Sequence, residues 1–265
     1  MEGDRLYVRL LIIIFGGFFI MTSEASTPAF SWDKVLILPP SWNHSKGNQV
    51  LHFSSGNKPF TLDQGAMQFV TDYLSEATPL TSDAAVIRFA SDQVSLEGAY
   101  LEMGVCTGKT INFIAALNPS QRIHGFDSFQ GLPEDWNRGD KNCLKGTFAF
   151  LDPEMLPYVL HNVQLHKGWF HEVLPQFLSE TLQAQSIAFL HIDCDIYSST
   201  RDVFTLLGDN IIPGTVIVFD ELYNYPGCEE HEFKAFQEFL KRKGYRAKYL
   251  GYNTNHEQVV VKIIL

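Results

Sequence analysis

From residue 99 onwards, the hydrophobic pattern of the chain falls into seven short apolar runs, each typical of a buried strand. The runs cover residues 99–105, 122–127, 163–168, 187–193, 215–219, 246–252 and 258–265. The central runs are nearly continuous rather than alternating, which is the pattern of parallel strands covered on both faces. The sequence therefore predicts a sheet that is buried between two layers.

Apolar residues recur at helical spacing between and before these runs. The predicted helices cover residues 61–74, 82–93, 107–117, 153–161, 171–179, 198–207 and 229–243, and residues 128–150 form a long loop. Alternating strands and helices predict an α/β fold with a mostly parallel seven-stranded sheet and helices on both faces. The short turn at Asn253 predicts an antiparallel strand near the C-terminus. Ligands bind beyond the carboxyl ends of the strands in such sheets.

The first 25 residues have the pattern of a secretory signal, either a cleaved signal peptide or an uncleaved signal anchor. A basic start precedes the uncharged apolar run at 10–21, and small residues favour cleavage after Ala25. The run is shorter than the ~20 residues of a membrane span. We therefore expect the secretory pathway, or the cytoplasm if the segment is not functional, and membrane contact only through an uncleaved segment.

The remaining chain divides into an extension and one domain. Residues 26–60 are rich in Pro, Ser, Asn and Gly and form a loop-rich N-terminal extension. Residues 61–265 form the domain, with N-terminal helices at 61–95 and the α/β core at 96–265. The oligomeric state stays open, a homodimer included.

Composition and charge narrow the class of protein. Of the 265 residues, 45% are hydrophobic and 19% charged, which is typical of a folded globular chain. The net charge of −10 disfavours nucleic acid as a partner. The one dense basic cluster, Lys241, Arg242 and Lys243, lies where a helix is predicted to end, and cations are favourable there.

The first strand ends in a glycine-containing junction. Gly104 and Gly108 allow the backbone to bend and approach a ligand, and Glu102 is placed to hold the amino group of an amino-acid-like ligand. The spacing of the glycines differs from the dinucleotide fingerprint. A phosphate-binding loop is excluded, because its first glycine would fall at Met103. A plain strand–turn–helix junction is the structural alternative.

Two further residues follow strands of the same predicted sheet. Asp127 lies 19 positions after Gly108, which is the position of an acidic residue that binds a ribose hydroxyl. The alternative for Asp127 is a turn or cap aspartate. Trp169 follows the third strand and either packs on an adenine ring or belongs to the core.

Carboxylates gather after the fourth and fifth strands. Asp193 and Asp195 follow one strand, and Asp220 and Glu221 follow its expected neighbour. Like charges so close need neutralisation, and oxygen-only ligands suit Mg²⁺, Mn²⁺ or Ca²⁺. Asp193, Asp220 and Glu221 are therefore the predicted metal ligands, with Asp193 as general base. Asp195 is interpreted as a helix cap, and His191 as a core histidine.

The four cysteines do not have metal-site spacing. Cys106 and Cys194 lie beside the predicted site and are interpreted as small buried residues. Cys143 and Cys228 lie in predicted loops, where an oxidising compartment would permit a disulfide between them.

The segments that end the strands, taken together, resemble the macrocin O-methyltransferase family of class I methyltransferases. The resemblance spans about residues 96–240 and rests on residues 101–105 (LEMGV), 125–133 (GFDSFQGLP), 167–170 (KGWF), 191–200 (HIDCDIYSST) and 213–214 (PG). It implies a Rossmann-like fold and transfer of a methyl group from S-adenosylmethionine to a hydroxyl of a small molecule or sugar.

The resemblance also implies roles for the site residues. The residues implied to hold S-adenosylmethionine are Glu102, Gly104, Gly108, Thr110, Asp127, Ser128, Trp169 and Asp193. Mg²⁺ or Mn²⁺ would be held by Asp193, Asp220 and Glu221. The family usually has a second Asp at the position of Glu221, and its members lack a signal segment.

Two alternatives accompany this hypothesis. An NAD-dependent Rossmann oxidoreductase would share the fold, but the glycine spacing disfavours it and the three carboxylates would have no role. A catalytically silent S-adenosylmethionine-binding protein would also share the fold, which does not by itself establish an activity.

Overall fold

The computed structural model describes residues 64–139, 142–150, 152 and 154–265, and the backbone of two short strand pairs nearer the N-terminus. These pairs join Ile12–Ile14 to Gly17–Phe19 and Leu36–Ile37 to Val50–Leu51. Most of the predicted signal segment and extension lies outside the described residues, and both assignments remain predictions. Within the described part of the chain, every helix is too short or too polar to cross a membrane.

The domain is built on one eight-stranded sheet. Its strands are β1 (Thr78–Leu80), β2 (Ala99–Met103), β3 (Ile123–Asp127), β4 (Val163–Lys167), β5 (Ile187–Ile192), β6 (Val216–Phe219), β7 (Arg246–Asn253) and β8 (Val259–Ile264). Their order across the sheet is β4-β3-β2-β5-β6-β8-β7-β1. Strands β2 to β6 pair in parallel, whereas β8 is antiparallel to both of its neighbours. The predicted parallel sheet and its antiparallel C-terminal strand are confirmed.

The eighth strand, β1, was not predicted from the sequence. It pairs in parallel with the end of β7, at the edge of the sheet. Three residues are too few to show a periodic pattern, and the central one is Pro79. Proline is tolerated on an edge strand, where a missing N–H donor costs little.

Helices cover both faces of the sheet. They are α1 (Gln64–Phe69), α2 (Asp83–Asp92), α3 (Lys109–Leu117), α4 (Phe170–Phe177), α5 (Tyr197–Leu207) and α6 (Glu232–Lys243). One-turn π-helices, Val70–Leu74 and Leu178–Leu182, extend α1 and α4. The core beneath α4, α5 and α6 includes Phe204, Phe236 and Phe239, and a second core lies beneath α2 and α3. Every residue of β5 is buried, because this strand lies at the centre between the two layers.

The helix predicted at 153–161 is wrong: residues 154–161 contain no helix. Pro157 lacks an N–H donor and disfavours a helical conformation at the residue before it. The side chain of Asn112 in α3 instead donates to the carbonyl of Tyr158 and accepts from the N–H of Leu160. These bonds attach the non-helical segment to α3. The predicted loop at 128–150 also contains a small antiparallel strand pair, Trp136–Asn137 with Asn142–Cys143.

The basic cluster ends α6, as predicted. Lys241, Arg242 and Lys243 form its last turn. Arg242 donates to the carbonyl of Phe204 at 2.7 Å, and Lys243 pairs with Asp209 at 2.9 Å. The cluster therefore stabilises the helix end and its packing on α5.

Two histidines on neighbouring strands are predicted to make the stability of the fold decrease in acid. His124 in β3 and His166 in β4 share a hydrogen bond of 3.0 Å between Nδ1 and Nε2. Burial, with repulsion by His166, lowers the pKa of His124 from 6.5 to about 4, and burial lowers the pKa of His166. The unfolded chain therefore binds protons that the folded chain does not, below pH 6.5.

We expect this pair to contribute stability that is fully present above pH 6.5 and is lost as the pH falls towards 4. The loss at pH 4 should be on the order of 2–3 kcal/mol for His124. Urea unfolding of the wild type and His124→Gln between pH 4 and 8 measures this loss. It is the difference between the two proteins in the slope of unfolding free energy against pH. Parallel curves for the two proteins would contradict the assignment.

Candidate active site

The glycine after β2 allows two strand ends to meet. Gly104 has φ +91°, and a Cβ at this position would lie 1.7 Å from the carbonyl oxygen of Asp193. The N–H of Asp193 in turn donates to the carbonyl of Met103 at 2.8 Å. A side chain at Gly104 would therefore separate the ends of β2 and β5, on which the site is built.

Asp127 fixes the shape of the loop that follows. Its Oδ2 accepts from the N–H groups of Val105 and Cys106, both at 2.8 Å, and its Oδ1 accepts from the N–H of Phe129 at 2.6 Å. A carboxylate has about four lone-pair sites, so one acceptor site remains for a ligand. Binding of a ribose hydroxyl by Asp127 stays a prediction, alongside this structural role.

A cavity of about 280 Å³ opens at the carboxyl ends of β2 to β6. The predicted site residues that line it are Gly104, Asp127, Ser128, Trp169, Asp193 and Glu221. Trp169 lies directly before α4 and lines the cavity. The carboxylates of Asp193, Asp195 and Glu221 line it as well. Apolar side chains, among them Leu132 and Phe148, complete the lining.

Three carboxylates converge in this cavity. Single ligand oxygens of Asp193, Asp195 and Glu221 all lie within 4.8 Å of one another. Oε2 of Glu221 is buried and lacks a hydrogen-bond partner. Burial, followed by the charge of Asp220, raises the pKa of Asp193, Asp195 and Glu221, that of Asp195 to about 7. The group is therefore costly to ionise unless a cation is bound.

The interpretation of Asp195 as a helix cap is wrong. The residue that caps α5 is Ile196, without any side-chain hydrogen bond. Asp195 adopts φ +65°, which Asp tolerates better than most residues. Asp195 lies three residues after the end of β5, and its side chain belongs to the three-carboxylate group.

The predicted ligand Asp220 lies beside this group. Its Oδ1 accepts from Nε2 of Gln258 at 3.0 Å and lies 3.9 Å from Nε2 of His191. Among the described residues, the close carboxylate group contains Asp195 rather than Asp220. Metal binding by Asp220 remains a prediction.

Glu102 and His191 form a fully buried pair behind the site. Oε1 of Glu102 accepts from the hydroxyl of Thr110 and lies 3.4 Å from Nδ1 of His191. Burial opposes the charged imidazole, but contact with Glu102 and the charge of Asp220 outweigh it and raise the pKa of His191. His191 is completely buried and is thus a core histidine, as predicted. Single ligand atoms of Glu102, His191 and Asp193 also lie within 4.8 Å of one another.

A second, more polar cavity of about 250 Å³ lies against the glycine junction. Its lining includes Thr110, Asp220 and Gln258, together with an ion pair of 2.8 Å between Lys109 and Asp83. Thr110 and Gly108 were both predicted to bind the methyl donor. Thr110 lines this cavity, whereas Gly108, which precedes α3 with φ +80°, lines neither cavity.

Asp193 and Cys106 line both cavities. The two cavities therefore meet at the carboxyl ends of β2 and β5. Glu102 lines neither of them, so direct contact between Glu102 and a ligand stays a prediction.

Sequence reasoning missed an arginine near the carboxylates. Both terminal nitrogens of Arg138 donate to Glu257, at 2.6 and 3.1 Å, and its guanidinium lies over the rings of Trp136 and Tyr225. The charge of Arg138 lowers the pKa of Asp195 against the larger effect of burial. No local motif could have indicated it, because Glu257 lies 119 positions away.

The two loop cysteines are unpaired thiols in the structure. Cys143 and Cys228 pack, partly buried, against a small cluster that includes Trp136 and Tyr225. Cys194 is buried, as interpreted from the sequence, whereas Cys106 is only partly buried and lines both cavities.

Comparison with known proteins shows which protein family has a similar sequence. The sequence profile of macrocin O-methyltransferase (TylF) matches residues 82–247. Demethyldecarbamoylnovobiocin O-methyltransferase of Streptomyces niveus is 28% identical over 124 residues, which are 41% of this chain and 45% of that protein. Mycinamicin III 3''-O-methyltransferase of Micromonospora griseorubida is 27% identical over 159 residues, 52% of this chain and 60% of that protein. The chain thus spans about half the length of these relatives.

A solved structure agrees with the sequence comparison. The calicheamicin methyltransferase CalS11 is 26% identical to this chain, with a TM-score of 0.55. The alignment covers 68% of this chain and 78% of CalS11. The fold is therefore that of a class I methyltransferase.

Proposed function

The chain belongs to the macrocin O-methyltransferase family, and from this premise we propose that it transfers a methyl group from S-adenosylmethionine to a hydroxyl of a small molecule or sugar. We further propose that the reaction depends on a divalent cation, Mg²⁺ or Mn²⁺. The observation that carries the proposal is the position of Asp193, which lines both cavities and belongs to the three-carboxylate group.

The two cavities suit the two ends of the methyl donor. Trp169 and Asp127 in the larger cavity offer an aromatic surface for adenine and an acceptor for ribose. The smaller cavity offers the hydroxyl of Thr110 and the charges of Lys109 and Asp220 to an amino-acid end. Because Asp193 lines both, the reactive centre of a donor that spans them would lie near Asp193.

The residues present fit a hard divalent cation. Asp193, Asp195 and Glu221 supply oxygen ligands only, and Oε2 of Glu221 is buried without a partner. The extra methylene of Glu221, relative to the usual Asp, leaves its carboxylate within reach of the other two. When bound, such a cation lowers the pKa of a substrate hydroxyl and orients it.

Side chains of this protein supply the proposed general base and the apolar surface around the acceptor. Asp193 is the proposed general base and would take the proton of the acceptor hydroxyl at a carboxylate oxygen. The larger cavity is lined by Leu132, Phe148 and Phe170, which offer apolar surface to the acceptor.

Calorimetry and turnover together test the proposal. We expect the protein to bind S-adenosylmethionine but not NAD, and Trp169→Ala to weaken donor binding about tenfold through lost ring contact. Met67→Ala, which removes an exposed side chain of α1 that lines neither cavity, serves as a control. Binding of NAD instead would favour an oxidoreductase.

Methyl transfer is measured against a panel of catechols and sugars, with Mg²⁺ and after removal of metal by EDTA. We expect transfer only with the cation. Donor binding without transfer to any acceptor would favour a silent binding protein. Equal transfer with and without metal would remove the cation from the proposal.

A further inference from the structure

Helix α6 begins with a carboxylate that points into the protein. Glu232 is its first residue, and its side chain is completely buried. A negative charge at a helix N-terminus interacts favourably with the helix dipole even when it is exposed. Burial of a charge costs free energy, and the helix dipole does not explain why this carboxylate is removed from water.

The contacts of Glu232 explain its orientation. Its Oε2 accepts from the N–H of Glu221 at 3.2 Å, whereas its Oε1 is buried without a hydrogen-bond partner. A smaller interaction with the N–H of Cys194 lowers the pKa of this carboxyl, against the larger effect of burial. Cys194 lies between Asp193 and Asp195, so one side chain contacts the backbone of both carboxylate-bearing loops.

Regular pairing between the two strands ends just before these loops. The last hydrogen bond of the β5–β6 ladder runs from the N–H of Asp220 to the carbonyl of Ile192, at 2.9 Å. Beyond it, the backbone turns away at Asp195, which has φ +65°. Glu232 supplies hydrogen bonds at the point where the sheet no longer does.

The location of Glu232 is electrostatically unfavourable. Burial, followed by the charges of Asp195 and Asp220, raises the pKa of Glu232. A neutral, apolar first residue would be the stable choice if α6 only had to pack here. Among the described residues, Glu232 is also outside the groups of mutually close metal-ligating atoms. The backbone contact of Oε2 is therefore the feature that ties Glu232 to the carboxylate-bearing loops, while Oε1 has no hydrogen-bond partner.

We propose that Glu232 is a positioning residue, which joins the loops after β5 and β6 and so sets the spacing of the Asp193, Asp195 and Glu221 carboxylates around a divalent cation. This inference rests on the metal site of the proposed function. Outer-shell partners that orient metal ligands typically change metal affinity 10–100-fold when they are replaced.

Titration of metal-free protein with Mn²⁺ by calorimetry tests the inference. In Glu232→Ala both backbone contacts are lost, and we expect Mn²⁺ affinity to fall about 10–100-fold. Glu232→Gln keeps an acceptor oxygen at the same reach and should bind Mn²⁺ nearly as tightly as the wild type. Glu230→Gln alters an exposed carboxylate near the start of the same helix and is the matched control.

The affinity for S-adenosylmethionine, measured without metal, should be the same in all four proteins. A merely structural role of Glu232 would lower the melting temperature without changing Mn²⁺ affinity. If Glu232→Ala does not fold, Glu232→Asp takes its place, because its carboxylate is retracted by one methylene and should also bind Mn²⁺ more weakly.

The outcomes separate the two proposals. A wild-type protein that does not bind Mn²⁺ would refute the metal site itself. A wild type that binds Mn²⁺, with Glu232→Ala or Glu232→Asp binding equally tightly, would overturn only the positioning role. Equal weakening in Glu232→Gln and Glu232→Ala would also overturn it, since the charge rather than the acceptor oxygen would then matter.

Discussion

Replacing Asp193 by asparagine is expected to lower the rate of methyl transfer by at least about a hundredfold, while the affinity for S-adenosylmethionine changes little. A general base contributes roughly 10²–10⁴-fold to a rate, and the same carboxylate is a proposed cation ligand. Asparagine keeps the size and one oxygen of Asp193, so the walls of both cavities should keep their shape. The measurement is turnover under saturating donor, with donor affinity determined separately by calorimetry.

Asp202→Asn is the matched control for this substitution. Asp202 lies on the surface of α5 in an ion pair with Arg201, away from both cavities. Its replacement should leave turnover and donor affinity unchanged. Wild-type turnover in Asp193→Asn would mean that another group takes the proton and that Asp193 is not an essential ligand.

The second large expected effect is an opposite pH dependence of stability with and without metal. Burial and the charge of Asp220 raise the folded-state pKa of Asp195 to about 7, whereas an unfolded Asp titrates near 3.8. The folded state therefore holds a proton that the unfolded state has lost between these values. Stability from this group is present below pH 3.8 and is lost as the pH rises towards 7 and slightly beyond.

For the metal-free protein, the loss associated with Asp195 should be on the order of several kcal/mol between pH 4 and 8. A cation should reverse the trend, because it binds the ionised carboxylates and competes with protons. Thermal unfolding in EDTA and in Mn²⁺ over this range measures both trends. The stabilisation by Mn²⁺ should increase as the pH rises.

The pair of His124 and His166 changes stability with pH in the opposite direction to Asp195. Asp195→Asn therefore isolates the contribution of Asp195 to the pH dependence. The variant should lose part of the pH dependence in EDTA and most of the stabilisation by Mn²⁺. Asp209→Asn, which removes a surface ion pair with Lys243, should keep the pH trend in EDTA and the stabilisation by Mn²⁺ of the wild type. Stabilisation by Mn²⁺ that is independent of pH would argue against binding through these carboxylates.

The sequence was sufficient for the sheet and for most of the site because both depend on local patterns. Apolar runs separated by helical spacing indicated the parallel strands, and the polar residues directly after them lie at one edge of the sheet. This reasoning found Asp127, Asp193 and Glu221, which line the larger cavity. For Trp169 it left open an adenine contact or a place in the core, and the structure places this residue in the lining of the same cavity.

The errors arose where tertiary contacts decide the structure. Residues 154–161 have a helical pattern, but they contain no helix, and Asn112 binds the backbone of Tyr158 and Leu160. Asp195 precedes a helix as a cap would, and only its φ of +65° turns the side chain towards the other carboxylates. The partner of Arg138 lies far along the chain, so periodicity carries no signal for it.

The three backbone contacts of Asp127 affect how substitutions there should be understood. In a mutational survey scored by donor affinity alone, loss of this carboxylate would look like the loss of a ribose contact. The amides of Val105, Cys106 and Phe129 would nevertheless have lost their common acceptor, and the loop would change its course. The proposed ribose contact and the local fold would depend on the same carboxylate, so a substitution at Asp127 that changes one would also risk changing the other.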